Sequence, residues 1–162
     1  MLNRGEIERL IEVRPSAIHG LGVFARRPIA EGTRLIEYAG EVVSEAEGDA
    51  RYDEGAMARH QTYLMALEGG LCIDAAVGGN ESRFINHSCE PNCQAVEEDG
   101  RVWIETREPI AAGQELSYDY AYDREEGDDE TFYRCGCGAR GCRRTILAPL
   151  AAPADEMTEE RA

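Results

Sequence analysis

A chain of 162 residues with 43% hydrophobic and 30% charged side chains has room for one folded core, and is too apolar for a disordered chain. No apolar run approaches the ~18 residues that a membrane span requires. Residues 1–14 alternate charges with Ile and Leu, unlike a secretory leader, so the expectation is a protein kept in the cytoplasm. A net charge of −15 argues against direct nucleic-acid binding, which needs clustered cations, and favours a basic partner steered by the overall field.

In chain order, Ile7, Leu10 and Ile11 stand at helical spacing, and the sequence then turns mainly to strands. The candidates are 23–25, 33–38, 42–43, 71–73, 102–106 and 115–120. Residues 44–59, rich in Glu and Ala, read as a helix interrupted near Gly48 and Gly55. Residues 82–86 read as a short helical turn capped near Asn80. A weak internal repeat is visible: Pro28-Ile29-Ala30-Glu31-Gly32-Thr33-Arg34-Leu35 matches Pro109-Ile110-Ala111-Ala112-Gly113-Gln114-Glu115-Leu116. Each copy carries a Pro- and Gly-bearing turn between two strands, which implies two similar hairpins rather than a solenoid. Residues 123–130 (DREEGDDE) form an acidic block, read as a mobile linker or a solvated loop. From about 149 to 162, Ala, Pro and Glu dominate and a disordered tail is expected.

The six cysteines are unevenly placed. Cys72 sits alone in an apolar run and belongs to the core. Cys135, Cys137 and Cys142 crowd into a Gly-rich turn, where glycine lets the backbone fold several sulfurs onto one centre. In a reducing compartment disulfides are rare, and three close thiolates point to a structural zinc. A tetrahedron needs a fourth ligand, and Cys89 and Cys93 are both available.

The run Arg83-Phe84-Ile85-Asn86-His87-Ser88-Cys89-Glu90-Pro91-Asn92-Cys93 offers amide and imidazole hydrogen bonds beside a turn set by Pro91 and Asn92. It resembles the Asn-His-Ser-Cys-x-Pro-Asn motif of SET-domain protein methyltransferases. Three further pieces resemble the same family in the same order. His19-Gly20-Leu21-Gly22-Val23-Phe24 is similar to its N-terminal Gly-x-Gly motif. Glu37-Tyr38-Ala39-Gly40-Glu41 is similar to its Glu-Tyr-x-Gly-Glu strand, and Glu115-Leu116-Ser117-Tyr118-Asp119-Tyr120 to the stretch with the catalytic tyrosine. The C-x-C-x4-C cluster resembles its post-SET zinc motif. Together these cover about residues 12–147.

That resemblance implies a mainly β fold with short helices: small sheets around a C-terminal pseudoknot, plus a zinc-bound post-SET segment. The implied division is an N-terminal extension at 1–11, a SET domain at 12–122, the acidic linker at 123–130, the zinc segment at 131–148 and the tail. The implied activity is transfer of methyl groups from S-adenosylmethionine to lysine side-chain amines. For the cofactor, Gly20, Leu21, Gly22, Tyr63, Asn86 and His87 carry over. Tyr120 carries over as the catalytic tyrosine and Tyr38 as a wall of the lysine channel. Tyr118 stands where a tyrosine goes with mono- or dimethylation, and Met65 where an aromatic residue is often found. The zinc ligands implied are Cys89, Cys135, Cys137 and Cys142.

The chemistry fits those residue types. A lysine ammonium, with an ordinary pKa near ~10.4, must lose its proton, and a narrow, poorly hydrated channel promotes that. Tyrosine rings wall such a channel while their hydroxyls orient the amine. All 17 Lys-or-Arg positions are arginine, so the substrate is a lysine-bearing basic protein reached in trans, which also allows a chromatin or nucleoid association. The rival expectation is a catalytically silent SET-like module that binds a basic tail.

Overall fold

The computed structural model describes residues 2–150; the tail expected at 149–162 lies outside the described residues from 151 onward. Helix α1 (Arg4–Leu10) starts with a capping box, in which Asn3 and Glu6 satisfy each other's backbone amides. It runs straight into strand β1 (Ile11–Pro15). Ile7 and Leu10 pack on the core, but Ile11 is its first strand residue, 4% exposed.

The remaining strands are β2 (Leu21–Ala25), β3 (Arg34–Glu37), β4 (Glu41–Ser44), β5 (Leu64–Leu67), β6 (Leu71–Asp74), β7 (Asn86–His87), β8 (Cys93–Glu98), β9 (Arg101–Thr106) and β10 (Ser117–Tyr118). They form four small sheets: β1-β2, β3-β9-β8 and β4-β6-β5, all antiparallel, and a parallel pair β7-β10. The fold is therefore mainly β with short helices. Val23, Leu35, Ile85, Ile104, Ile110 and Leu116, all at most 1% exposed, occupy the main core where these sheets meet. No helix among the described residues is long and apolar enough to cross a membrane.

The two repeat copies face each other. Ile29 and Ile110 exchange both backbone hydrogen bonds at 2.9 Å. The amide of Gly32 donates to the Thr106 carbonyl, and that of Gly113 to the Ala25 carbonyl. Thr106 donates back to Thr33, and Ala25 to Gln114. Both glycines have positive φ, at 73° and 84°, which is the turn geometry that calls for glycine. The repeat is thus a local two-fold that closes one end of the core.

The stretch 44–59 is not one helix. Helix α2 (Glu45–Ala50), capped by Ser44, ends after six residues, and only a 3-10 turn at Glu54–Ala56 follows. The cause is tertiary. Arg51 Nη1 donates to Asp74 Oδ2 at 2.9 Å while Tyr52 Oη donates to Asp74 Oδ1 at 2.8 Å. Adjacent residues on a continued helix would diverge and could not share one carboxylate.

The parallel pair β7-β10 brings 115–118 against the 86–92 turn. Asn92 accepts from the Ser117 amide at 2.9 Å and donates to the Glu115 carbonyl at 2.8 Å, while the Ser88 amide donates to Tyr118. The expected pseudoknot rests on this juxtaposition of two segments far apart in sequence. The acidic block beyond is a loop with contacts of its own: Arg124 donates to the Ala148 carbonyl at 2.6 Å and pairs with Glu130 at 2.8 Å.

Candidate functional site

Four cysteine sulfurs converge beside the parallel pair. The Sγ atoms of Cys89, Cys135, Cys137 and Cys142 all lie within 4.8 Å of one another, those of Cys89 and Cys135 at 3.8 Å. A tetrahedron of thiolates at ~2.3 Å from zinc has edges of ~3.8 Å, so donor set and spacing both fit that ion. Backbone amides of Cys137, Arg143 and Arg144 donate to the sulfurs of Cys135, Cys89 and Cys142, each at 3.3 Å, and support thiolate character. Cys93 is elsewhere, fully buried in the main core, where burial pushes its thiol up to about 12. Cys72 is buried, as expected.

His87 joins this cluster to the tyrosines. Its Nδ1 accepts from the Tyr120 amide at 3.1 Å and its Nε2 lies 3.4 Å from Cys89 Sγ. Burial lowers its pKa to about 4 against the opposing pull of Asp119, whose carboxylate is taken up by a two-point pair with Arg143 at 2.8 Å. The imidazole is neutral, which leaves Nδ1 free to accept.

A cavity of about 270 Å³ opens beside these residues. Gly20, Leu21, Tyr63, Asn86, His87 and Tyr120 line it, so six of the nine expected catalytic and cofactor residues share one wall system. Arg59 and Arg83 add positive charge to it, and Cys135, Gly136 and Ile146 close one side from the cysteine-bearing segment. Asn86 Nδ2 donates to the carbonyls of His19 at 3.2 Å and Leu21 at 2.9 Å, and to Glu115 Oε1 at 2.9 Å, which fixes the glycine loop against β7. Gly20 has φ +48°, reached readily only by glycine.

A second cavity of about 800 Å³ is also lined by Tyr120. Seven carboxylates line it: Glu45, Asp49, Asp53, Glu54, Asp123, Glu125 and Asp128, with no arginine among its lining residues. Tyr118, Tyr120, Tyr122 and Met65 are among its aromatic and apolar walls, with Tyr52, Leu64 and Tyr133. The two cavities share His60, Thr62, Tyr120 and Tyr122. A cation-bearing pocket and an acid-lined cleft thus meet at a tyrosine wall.

The tyrosines there are packed and protonated. Rings of Tyr118 and Tyr120 are 4.9 Å apart, and Tyr122 stands perpendicular to Tyr120 at 5.9 Å. Tyr120 Oη donates to the Ile85 carbonyl at 2.8 Å. Burial raises the hydroxyl pKa of Tyr118 and Tyr120 well above the ordinary phenol value, and raises that of Tyr122 as well. They are hydrogen-bonding groups at neutral pH, not bases.

Two of the expected catalytic and cofactor residues line neither cavity. Tyr38, 3% exposed, stands one layer back and donates to the Tyr63 carbonyl at 3.0 Å, so it backs the wall rather than forming it. Gly22 faces Glu115: a Cβ there would lie 2.2 Å from Glu115 Oε1. Its smallness admits the carboxylate that holds Asn86 and Ser16. Arg59, His60 and Tyr122 were not singled out from sequence. The Tyr118, Tyr120, Tyr122 alternation carried a signal for the last; nothing in the 51–61 segment marked the other two.

The protein-family model described as SET domain matches residues 20–121. The histone-lysine N-methyltransferase SETD1 of Drosophila melanogaster is 38% identical over 144 residues, covering 86% of this chain and 8% of that protein. A Yarrowia lipolytica histone-lysine N-methyltransferase described as H3 lysine-4 specific is 40% identical over 135 residues, 79% of this chain and 11% of its own length. Human histone-lysine N-methyltransferase 2B is 38% identical over 143 residues, 84% and 5% respectively. The chain therefore spans only a small fraction of these curated relatives.

Proposed function

This chain belongs to the SET-domain family, and from that premise we propose that it transfers methyl groups from S-adenosylmethionine to the side-chain amine of lysine in a basic protein, adding one or two. The observation that carries the reading is the meeting of the two cavities at Tyr120. Cofactor and protein substrate of such a reaction must enter from different sides and touch at one point, and placement there dominates the rate.

In this reading Gly20, Leu21, Tyr63, Asn86 and His87 hold the cofactor, with Gly22 acting indirectly through Glu115. The buried surroundings of Arg59 and Arg83 suit the carboxylate of an amino-acid moiety. The cofactor supplies a methyl group on a positively charged sulfur. The chain's own residues do the rest. The acidic cleft draws in a basic segment and holds its flanking cations in partial desolvation. The tyrosine wall excludes water around the target amine, which disfavours the ammonium and lowers its pKa. Tyr120, kept protonated and anchored to the Ile85 carbonyl, presents its hydroxyl lone pairs to orient the amine. Tyr118, 7% exposed beside it, narrows the space available for further methyl groups.

Cys89, Cys135, Cys137 and Cys142 would bind a structural zinc. Its loss would release the side of the first cavity that Cys135 and Gly136 form. The substrate's chemistry is that of a lysine-bearing basic tail, as in the histone substrates that the relatives' names state. The test is incubation with methyl-labelled S-adenosylmethionine and a panel of lysine-rich proteins, with Tyr120→Phe in parallel. Label on substrate lysines that this substitution sharply reduces supports the reading. No label from a zinc-loaded sample would instead favour a silent module that binds basic tails.

A further inference from the structure

We infer that His60 is a positioning residue for methyl transfer: its ring braces Tyr122 against Tyr120 where the two cavities meet, and so sets both the rate and the number of methyl groups added. This rests on the methyltransferase reading above and names a residue outside the motifs that support it.

Among the described residues His60 is one of four that line both cavities, and its side chain is 9% exposed. Its ring stands edge-on to Tyr122 at 4.6 Å and lies tilted on Tyr133 at 4.9 Å, with Phe132 at 5.8 Å. Tyr122 in turn stands perpendicular to Tyr120 at 5.9 Å. An unbroken row of rings therefore runs from the cysteine-bearing segment through His60 to Tyr120. The backbone follows the same path. The His60 amide donates to the Phe132 carbonyl at 2.9 Å, and Arg59 donates to the Arg134 carbonyl at 3.1 Å.

The polar atoms of His60 show that the ring itself, and not proton transfer, is what the site uses. Nδ1 meets Glu54 Oε1 at 3.0 Å on the exposed side of the ring. Nε2 is sealed from solvent and has no hydrogen-bond partner among the described residues. A buried polar atom left unpaired costs free energy, and such atoms collect at functional sites. A proton acceptor would need Nε2 open to the substrate and a basicity near the working pH. Here the atom is enclosed, and burial lowers the imidazole pKa despite Glu54.

The experiment compares His60→Gln, which keeps polar atoms but loses the ring, with His60→Phe, which keeps the ring but loses both nitrogens. Steady-state methylation of a basic peptide is followed by mass spectrometry, with zinc content and thermal midpoint recorded for each protein. The brace predicts that His60→Gln lowers kcat by about tenfold or more, since small misplacements at a reacting centre are costly. The KM for the cofactor stays within about threefold, and the product distribution shifts toward higher methylation. His60→Phe restores kcat to within about threefold and restores the wild-type product ratio. Wild-type kcat and products in His60→Gln, or a His60→Phe protein as impaired as His60→Gln, would overturn the proposal. Wild-type turnover in the same assay shows that such a failure belongs to the brace alone; its absence overturns the parent reading as well.

Discussion

Gly22→Ala tests the anchoring of the glycine loop. The backbone at Gly22 does not require glycine; the space does. A Cβ would sit 2.2 Å from Glu115 Oε1 and 2.9 Å from its Cδ, so the carboxylate must swing away. That carboxylate accepts from Ser16 Oγ at 2.7 Å and from Asn86 Nδ2 at 2.9 Å. Losing these partly buried, charge-assisted bonds costs about 1.5–3 kcal/mol. In a chain of this size that corresponds to a drop of roughly 5–10 °C in the thermal midpoint. Glu115→Ala removes the same bonds by another route and should cost about the same. If both act through one contact, Gly22→Ala should add only a few tenths of a kcal/mol in the Glu115→Ala background, the remainder being the 3.0 Å approach to Ser16 Cβ. Urea unfolding of the four proteins measures the cycle. Full additivity of the two losses would refute the reasoning.

Zinc analysis after dialysis should show that Cys135→Ser loses the metal and most of its thermal stability gain, while Cys93→Ser keeps it, because Cys93 lies outside the cluster. The Asp74 carboxyl is raised by burial, but Arg51 and Tyr52 overcome this and hold it below its ordinary value. Stability from this group is therefore fully present above about pH 4 and is lost as pH falls through the depressed native value. Urea titrations from neutral pH downward should steepen there in the wild type and less in Asp74→Asn. Raising salt should raise the KM for a basic peptide and leave kcat nearly unchanged, because the seven cleft carboxylates act at long range. Neutralising Glu45 and Asp49 together should flatten that dependence.

Where side chains alone decide an element, the sequence was legible. The central parts of β2, β3, β4, β6 and β9 follow their apolar residues, and Asn80 caps a 3-10 turn at Glu81–Phe84 as its position implied. Cys93–Glu98 (CQAVEE) has no apolar alternation to mark it as a strand, and its pairing with β9 makes it one. Over 44–59 Glu and Ala favour helix locally and the glycines suggest breaks near 48 and 55, but the break falls at Arg51 and Tyr52, whose Asp74 contacts come from another part of the chain. The repeat was visible, but its consequence was not: the copies pair with each other through Ile29 and Ile110. In the site, spacing left Cys89 and Cys93 equivalent, and only the family motif separated them. The motif that Tyr38 shares implies a channel wall, while its depth follows from packing with Leu67, Ile73, Ala75 and Val102, which no local pattern displays. His60 carries no motif at all; its place follows from where 54–62 meets 131–134.

The most direct measurement is mass spectrometry of two otherwise identical basic peptides after incubation with the protein and S-adenosylmethionine, one with lysine and one with arginine at the target position. The reading predicts mass increments of one or two methyl groups on the lysine, absent from the arginine peptide and sharply reduced with Tyr120→Phe. Methylation of the arginine peptide, or lysine methylation indifferent to Tyr120, would contradict it.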